Sequence, residues 1–306
     1  MRDIIIIGGG LAGLTAGMYT KRAGLDTLLF EKMFTGGQAA TTNLIENYPG
    51  FDDPISGPDF AMRIENHARK FGLEIQYDEI KELQLEGPVK KVLTDNKVYE
   101  AKAVILAMGA EPRKLGLDKE EEFRGRGVSY CATCDGAFFR DKDVAVVGGG
   151  DTAAEDALFL AQYVNKVYLI HRRDTLRATK IIADRVLANE KIEKVWDSVV
   201  TGINGDDKVT GIEVENVKTR AKKEIKLDGI FIAIGVIPNS ELVQGKVEMN
   251  ESNYILTDDS MRTNVPGVFA AGDIRQKPLL QLVTAAADGA IAAYSAQKYI
   301  IEEFGQ

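Results

Sequence analysis

The hydrophobic positions at the start of the chain form two short runs, separated by a glycine-rich turn and a segment of helical length. Residues 4–7 are four consecutive isoleucines, which predict a buried parallel strand. Residues 8–13 are the turn, residues 14–23 suit a helix that ends at Gly24, and residues 27–30 predict the next strand. This order of strand, turn, helix and strand predicts a βαβ unit.

The same plan occurs a second time. Its glycine turn lies at residues 148–153 in place of residues 8–13, an offset of 140 positions (148 minus 8). Residues 144–147 predict the strand before this turn, and residues 167–170 predict the strand that closes the unit. The repetition indicates an internal duplication and therefore two dinucleotide-binding units.

Matching segments also end the two repeats. Residues 104–109 resemble residues 230–235, and a proline follows each segment three residues later. Before these segments, both repeats alternate polar and apolar runs with turn signals, which predicts a small antiparallel meander in each. The stretch after Asn239 has no glycine fingerprint, so the simplest topology returns it to the first unit.

We therefore expect an α/β protein with two Rossmann-like dinucleotide-binding domains, the second inserted into the first, each with a small antiparallel meander. Residues 1–113 and 241–306 are expected to form the discontinuous first domain. Residues 114–240 are expected to form the second domain, which carries a C-x-x-C motif.

Each glycine turn has the spacing that a pyrophosphate site requires. The first glycine permits the tight turn, the second lets the backbone approach the pyrophosphate, and the last small residue lets the helix pack on the strand. The helix N-terminus supplies N–H groups to the anion. A glycine-rich turn can be no more than a turn, but both turns here follow a predicted strand and open a helix, which favours dinucleotide binding.

The residue that ends the second strand of each unit distinguishes the cofactors. Glu31 can accept hydrogen bonds from both ribose hydroxyls and would repel a 2′-phosphate, so the first turn suits FAD or NAD. The second unit has His171, Arg172 and Arg173 at this place, and Arg177 one helical turn beyond. This cationic group favours the 2′-phosphate of NADPH. The alternative is a solvated basic helix start.

Cys131 and Cys134 are the only cysteines of the chain. Their C-x-x-C spacing beside a βαβ unit indicates a dithiol–disulfide couple in a reducing compartment, and two structural cysteines are the alternative. A zinc site would have to recruit His67 and His171, and the second of these lies at the expected nucleotide site. Asp135 directly follows the motif and can transfer a proton when a thiolate forms or leaves, although it also suits a turn.

Composition and charge limit the partners. The 306 residues are 45% hydrophobic and 27% charged, which is enough for two domains with cores. The net charge of -8 disfavours nucleic acid and anionic lipid. The apolar run near the N-terminus is too short for a signal peptide or a membrane span, so we expect a cytoplasmic protein.

The sequence resembles the low-molecular-weight thioredoxin reductases of bacteria, within the pyridine nucleotide-disulfide oxidoreductase family, over essentially the whole chain. The C-A-T-C-D run at residues 131–135, before a second fingerprint, is the most specific motif. The other matching segments are residues 8–13, 36–38, 46–50, 148–153, 171–177, 271–273 and 284–286.

The resemblance implies an enzyme that passes electrons from NADPH through FAD and a Cys131–Cys134 disulfide to thioredoxin, and it implies a homodimer. In this family pattern Cys134 faces the flavin, Cys131 attacks the protein substrate, and Asp135 is the acid/base. The implied FAD contacts are Gly8, Gly10, Leu11, Ala12, Gly13, Glu31, Gly37, Gln38, Asn47, Gly109, Gly272, Asp273, Gln281 and Leu282. The implied NADPH contacts are Gly148, Gly150, Asp151, Thr152, Ala153, His171, Arg172, Arg173 and Arg177.

Two positions depart from the family pattern. Met108 stands where the family often has a threonine, and Leu280 stands where it often has an arginine. The first change removes a hydroxyl and the second removes a charge near the expected flavin site. We expect them to affect flavin contacts and not the reaction class.

Two other functions fit part of the sequence. A flavin-dependent dithiol oxidase would keep FAD and the C-x-x-C motif but use oxygen in place of NADPH, and the arginine group argues against it. A non-catalytic redox-sensing or nucleotide-binding module is the other alternative, because a fold alone does not determine a function.

Overall fold

The computed structural model describes residues 1–42 and 44–305. The chain forms two compact units, a first unit of Met1–Glu111 with Ile237–Gln306 and a second unit of Pro112–Val236. The chain thus leaves the first unit after Glu111 and returns to it after Val236. The sequence predicts these crossings after residues 113 and 240.

Up to Pro112, where the chain enters the second unit, the described residues form nine strands and two long helices. The strands are β1 (Arg2–Ile7), β2 (Thr27–Glu31), β3 (Leu44–Ile45), β4 (Ile55–Ser56), β5 (Glu74–Tyr77), β6 (Glu82–Gln84), β7 (Lys90–Leu93), β8 (Val98–Leu106) and β9 (Ala110–Pro112). The helices are α1 (Leu11–Arg22) and α2 (Gly57–Lys70), and Gly37–Thr41 form a 3-10 helix.

The strand β1 lies at the centre of the main sheet of the first unit. It pairs in parallel with β2 on one side and with β8 on the other. Its isoleucines are buried because both faces of the sheet are covered. Helix α1 begins at Leu11, three residues earlier than expected, since the extended backbone of Gly10 ends the turn there.

The second unit repeats this plan with its own strands and helices. The strands are β10 (Val128–Ser129), β11 (Asp143–Val147), β12 (Lys166–Ile170), β13 (Ile192–Val195), β14 (Ser198–Gly205), β15 (Val209–Asn216), β16 (Lys222–Lys226) and β17 (Gly229–Ile232), and β18 (Val236–Pro238) contains the return crossing. The helices are α3 (Ala132–Asp135), α4 (Asp151–Leu160) and α5 (Lys180–Ala188), and Gly136–Phe139 form a 3-10 helix.

Two sheets make up the second unit. The strands β10, β17, β11, β12 and β13 form a parallel sheet in that order. The strands β14, β15 and β16 form a separate antiparallel sheet. The predicted parallel sheet with a small meander is therefore confirmed for this unit.

The last stretch of the chain completes the sheet of the first unit. It contains a 3-10 helix (Glu241–Val243), β19 (Val268–Ala270) and α6 (Leu282–Phe304). The end of β8 pairs in parallel with β19, whereas its beginning pairs antiparallel with β7, which continues to β6 as a meander. The parallel order β5-β2-β1-β8-β19 matches β13-β12-β11-β17-β10, which confirms the internal duplication.

Small residues let α6 lie directly against α1. A Cβ at Gly289 would overlap the carbonyl of Ala12, and Ala292, Ala293 and Ala296 are fully or almost fully buried in the same core. This packing fixes the beginning of α1 at the glycine turn. Among the described residues, no helix is long and apolar enough to cross a bilayer.

Candidate active site

The first glycine turn has the backbone shape of a pyrophosphate site. Gly8 has a φ of +106°, and a Cβ there would overlap the carbonyl oxygen of Ala107. A Cβ at Gly13 would overlap the carbonyl oxygen of the first glycine, so α1 can begin directly against the turn only with glycine. At Gly10 the nearest atom to such a Cβ is Gly37 Cα at 4.0 Å, so the space beside its backbone is open to a ligand.

Glu31 ends β2 beside this turn. Its Oε2 accepts a hydrogen bond from the backbone N–H of Gly9 at 2.7 Å, and its Oε1 accepts one from Met33 N at 3.0 Å. These bonds hold the carboxylate at the strand end where a ribose binds in dinucleotide folds.

Segments that are distant in the sequence converge near the first turn. The N–H of Gly36 donates to Gly9 O at 2.8 Å, which places Gly37, expected at the FAD, beside the turn. Asn47 Nδ2 donates to Gln281 Oε1 at 3.1 Å, and this bond joins two expected flavin residues 234 positions apart. Leu282 is the first residue of α6.

Two further glycines lie at the carboxyl edge of the same sheet. Gly109 follows β8 with a φ of +68°, and Gly272 follows the neighbouring strand β19 with a φ of +82°. Parallel strands bring their carboxyl ends together, so these glycines and the first turn occupy one edge.

Asp273 supplies a buried acceptor at this edge. Its Oδ1 is buried without a hydrogen-bond partner among the described residues, although Lys277 Nζ lies 3.0 Å away in an ion pair that lacks hydrogen-bond geometry. Burial raises the pKa of this carboxyl and Lys277 opposes the rise. Buried acceptors normally have a donor, so this atom fits a hydroxyl of a bound ligand. The turn, Glu31 and this acceptor together fit FAD.

The two departures from the family pattern occupy different surroundings. The Met108 side chain packs against the core beside β8, and its carbonyl accepts a hydrogen bond from Asn239 Nδ2 at 3.0 Å. Leu280 is half-buried directly before Gln281. The methionine thus contributes packing at a position where a threonine would offer a hydroxyl.

The second glycine turn has the same backbone shape. Gly148 has a φ of +154°, and a Cβ there would overlap the carbonyl of Ala233 and the side chain of Ala153. Among the described residues other than its chain neighbours, no atom lies within 4 Å of a Cβ built on Gly150, so its backbone is open to a ligand. The exposed Thr152 follows in the first turn of α4. This open turn at a helix N-terminus fits the pyrophosphate of a dinucleotide.

The His171 ring packs against the backbone of the second glycine turn at Gly149. The ring occupies the space into which a Cβ at Gly149 would project, and the residue is only 5% exposed. Burial, together with the nearby arginines, lowers the pKa of the imidazole, so the ring is neutral at pH 7. The ring takes the place that the Glu31 carboxylate occupies beside the first turn.

The three arginines lie on an irregular loop. Arg172, Arg173 and Arg177 are exposed, and α5 begins only at Lys180. The expectation that Arg177 lies one helical turn beyond the strand is wrong, because residues 172–179 contain no helix.

Backbone bonds to the glycine turn explain the irregular path of this loop. The N–H of Arg177 donates to Gly149 O at 2.7 Å, and the N–H of Thr179 donates to Asp151 Oδ1 at 2.7 Å. The bond from Thr179 lowers the pKa of the Asp151 carboxyl. These two bonds tie the arginine loop to the start of α4.

Cys131 and Cys134 form a disulfide at the short helix α3. Their Cα atoms are 5.3 Å apart, within the range that a disulfide requires. The N–H of Cys134 donates to Cys131 O at 3.3 Å, and the N–H of Cys131 donates to Ser129 Oγ at 3.1 Å. In the described part of the chain, no three His, Cys, Asp or Glu side chains form a metal-binding group.

Asp135 is a largely buried carboxyl next to the disulfide. Burial raises its pKa, and the hydrogen bond from Ser129 Oγ at 2.6 Å and the charge of Arg124 partly oppose the rise. The carboxyl therefore keeps a proton to a higher pH than an exposed aspartate does. This property suits proton transfer to and from a thiolate.

Residues 2–290 match the pyridine nucleotide-disulphide oxidoreductase family. The chain belongs to this family. Thioredoxin reductases of Listeria monocytogenes and Bacillus subtilis are each 48% identical to the chain over 301 residues, which cover 98% of it and 94% and 95% of the relatives.

Solved structures extend the comparison to the fold. A thioredoxin reductase from Streptococcus pyogenes has a TM-score of 0.95 and 47% identity, over 99% of each chain. A thioredoxin reductase from Lactococcus lactis in its FR conformation has a TM-score of 0.68 and 46% identity, over 99% of this chain and 100% of that one. These findings confirm the family resemblance, the oxidoreductase class and the FAD and NADPH cofactors expected from the sequence.

Three residues that contact the expected site residues are not predicted from the sequence. Ser129 bonds the Asp135 carboxyl, and its place two residues before Cys131 was the only signal. Lys277 Nζ lies 3.0 Å from Asp273 Oδ1 and 3.2 Å from Asp288 Oδ2. Lys277 follows Asp273 by four positions, but residues 273–277 form no helix, and the separation of 11 positions between Lys277 and Asp288 corresponds to no helical spacing that predicts contact.

Proposed function

We propose that this chain is an NADPH-dependent thioredoxin reductase that acts through FAD and the Cys131–Cys134 disulfide. The observation that carries the proposal is the disulfide on α3, immediately before a second dinucleotide unit, in a chain whose relatives are thioredoxin reductases. The FAD, when bound, supplies a two-electron carrier between NADPH and this disulfide.

The first unit holds the FAD. The open backbone at Gly10 and the N-terminus of α1 receive the pyrophosphate, and Glu31 receives the adenosine ribose. Asp273 Oδ1, which has no hydrogen-bond donor among the described residues, accepts a hydrogen bond from a hydroxyl of the cofactor. The remaining contacts are Gly8, Leu11, Ala12, Gly13, Gly37, Gln38, Asn47, Gly109, Gly272, Gln281 and Leu282.

The second unit, residues 112–236, holds the NADPH. The open backbone at Gly150 and the N-terminus of α4 receive the pyrophosphate. Arg172, Arg173 and Arg177 bind the 2′-phosphate, because their exposed guanidinium groups offer charge-assisted hydrogen bonds to it. The remaining contacts are Gly148, Asp151, Thr152, Ala153 and His171.

Cys131 and Cys134 have different roles in the thiol–disulfide exchange. Reduction adds two electrons, breaks the S–S bond and yields two thiols. The thiolate of Cys131 then attacks the disulfide of thioredoxin and forms a mixed disulfide. The thiolate of Cys134 attacks the sulfur of Cys131, which restores the internal disulfide and releases reduced thioredoxin.

Asp135 donates and accepts the proton that this exchange requires. Burial raises the pKa of its carboxyl, so a proton stays on it to a higher pH than on an exposed aspartate. Asp135 gives this proton to a leaving thiolate and takes it back when a thiol is deprotonated.

The chain acts on thioredoxin as a homodimer in the cytoplasm. The exposed face of α6 presents Val283, Ile291, Tyr294 and Ile301, each at least 38% exposed, with spacings of a single helical face. A second copy would cover this face. Light scattering of the purified chain should give twice the monomer mass, and a monomer mass would contradict the dimer.

A spectroscopic assay of the purified chain tests the function. The chain should be yellow, NADPH should bleach it under anaerobic conditions, and oxidised thioredoxin should restore the colour. A colourless protein would contradict FAD binding. A yellow protein that NADPH does not bleach, but that a dithiol bleaches and oxygen recolours, would favour a dithiol oxidase.

A further inference from the structure

A cluster of four charged residues, Asp273, Arg275, Lys277 and Asp288, lies at the strand end after β19, and only the Asp273 side chain is more than 15% exposed. Asp288, on α6, is the centre of this cluster and its side chain is only 7% exposed. It accepts hydrogen bonds from Gly272 N at 3.1 Å, from Arg275 Nε at 3.0 Å and Nη2 at 3.2 Å, and from Lys277 Nζ at 3.2 Å. These bonds fix residues 272–277 to α6.

Lys277 connects this centre to the expected FAD site. Its side chain is only 3% exposed, and its Nζ lies between Asp288 Oδ2 at 3.2 Å and Asp273 Oδ1 at 3.0 Å. Burying a lysine is unfavourable unless it is paired, and here two carboxylates and two cations balance.

The cluster does more than stabilise the fold. Apolar residues of similar shape often stabilise a buried site as well as a charged network does, so such a network needs another reason. In the described residues, only Asp273 Oδ1 and His171 Nε2 are buried side-chain atoms without a hydrogen-bond partner. The network therefore satisfies Asp288 fully and leaves one oxygen of Asp273 for a further donor.

We propose that Lys277, held by Asp288, is a positioning residue that keeps the Asp273 carboxylate charged and oriented for FAD. The inference rests on the proposed function, since FAD is the ligand that the carboxylate would bind. Lys277 itself does not have to touch the cofactor. It acts because its charge stabilises the ionised carboxylate, to which a ligand hydroxyl donates a stronger hydrogen bond.

The groups around Asp273 determine how FAD binding depends on pH. Lys277 favours the ionised carboxyl, whereas burial and Asp288 disfavour it. Burial and the charge of Asp273 raise the pKa of Tyr254, so this phenol adds no charge near the carboxyl at pH 7.5, and the Arg275 guanidinium donates to Asp288. Without Lys277 the pKa of Asp273 rises further. The carboxyl then takes up a proton at a higher pH, and FAD is released at a higher pH as the solution is acidified.

Titration of the flavin-free full chain with FAD, followed by fluorescence, tests the inference. At pH 7.5 Lys277→Met should raise the dissociation constant for FAD by about tenfold. The pH at which acidification releases FAD should also move upward. Lys277→Arg keeps the charge and should restore the original pH profile, which a role in packing alone would not explain.

Thr257→Val is the matched structural control. It removes a partner of Arg275 in the same cluster without touching Lys277, since Arg275 Nη1 donates to Thr257 Oγ1 at 3.0 Å. This variant should lose stability and keep the pH profile of FAD release. Lys277→Gln is the second test variant if Lys277→Met does not fold.

Two results overturn the inference in distinguishable ways. If the unchanged chain binds FAD and the neutral Lys277 variants keep both its affinity and its pH profile, Lys277 does not position Asp273. If the unchanged chain binds no FAD at all, the proposed function fails together with the inference.

Discussion

Cys131 and Cys134 share one disulfide but should respond differently to substitution. Replacing either cysteine with serine should abolish thioredoxin reduction, while FAD binding and flavin reduction by NADPH persist. In Cys131→Ser the remaining Cys134 thiolate should produce a long-wavelength charge-transfer band against oxidised flavin, because we propose that Cys134 is the flavin-proximal thiol. Cys134→Ser should show no such band. Absorbance spectra of the two variants provide the measurement, and the opposite pattern would reverse the assignment.

The three arginines of the loop should select the coenzyme. Neutral replacement of Arg172, Arg173 and Arg177 together should raise the KM for NADPH at least tenfold more than the KM for NADH, because only NADPH carries the 2′-phosphate. Steady-state kinetics with both coenzymes measure the difference. Neutral replacement of the three lysines of β16 removes the same charge elsewhere in the second unit and should leave the preference intact. Equal losses for both coenzymes in the arginine variant would make the loop structural.

At the scale of elements, helix α4 carries a partly buried acid, Asp156. Burial raises the pKa of Asp156 to about 6, with a contribution from Glu155. A carboxyl whose pKa is raised by folding destabilises the folded state above that pKa and ceases to do so below its usual pKa near 4. Asp156→Asn should therefore stabilise the protein by roughly 2–3 kcal/mol at pH 7.5.

Urea unfolding at several pH values measures this effect. The advantage of Asp156→Asn should shrink steadily between about pH 6 and pH 4, because the wild-type carboxyl becomes neutral in the folded state over this range. Replacement of the neighbouring exposed Glu155 with glutamine is the control and should have a smaller effect. An advantage that is independent of pH would contradict the account.

The sequence predicts the βαβ elements well because their signals are local. Four buried isoleucines and a glycine turn determine β1 and the start of the site in a single stretch of chain. The loop that carries Arg177 is different, since its path depends on bonds to Gly149 and Asp151, more than 25 positions earlier. A pattern of charges gives no information about such bonds, which is why a helix was wrongly expected there.

At the scale of the whole molecule, the sequence predicts the duplication but not how each copy obtains its fifth strand. In the first unit the fifth strand is β19, from the end of the chain, whereas in the second unit it is β10, which precedes β11. Three-residue and two-residue strands carry little periodicity, so only the pairing in space identifies them. The side-chain contacts of Asp288 with Arg275 and Lys277 also follow no sequence pattern, so only the structure identifies them.

The placement of the disulfide leads to a prediction about domain motion. Cys131 and the expected nicotinamide site belong to the second unit, whereas the residues expected to bind the flavin belong to the first. Hydride transfer needs reacting atoms roughly 3–3.5 Å apart, and the disulfide needs similar proximity to the same flavin. We predict that a rotation at the two crossings alternates these approaches and exposes Cys131 to thioredoxin.

A covalent cross-link that holds the disulfide against the flavin tests the rotation. The cross-linked protein should still bind NADPH but should no longer be bleached by it. Reductive cleavage of the link should restore bleaching. The alternative is a rigid molecule with nicotinamide and disulfide on opposite faces of the flavin, and a structure with both in contact with the ring would establish it.

The central claim is that electrons pass from NADPH through FAD to the Cys131–Cys134 disulfide and then to thioredoxin. Anaerobic reductive titration of the flavin-loaded chain tests it most directly, because the flavin and the disulfide each accept two electrons. The account predicts that the wild-type chain takes up four electrons, that Cys131→Ser takes up two, and that oxidised thioredoxin reoxidises the wild-type chain alone. Uptake of only two electrons by the wild-type chain, or reduced wild-type protein that thioredoxin cannot reoxidise, would contradict it.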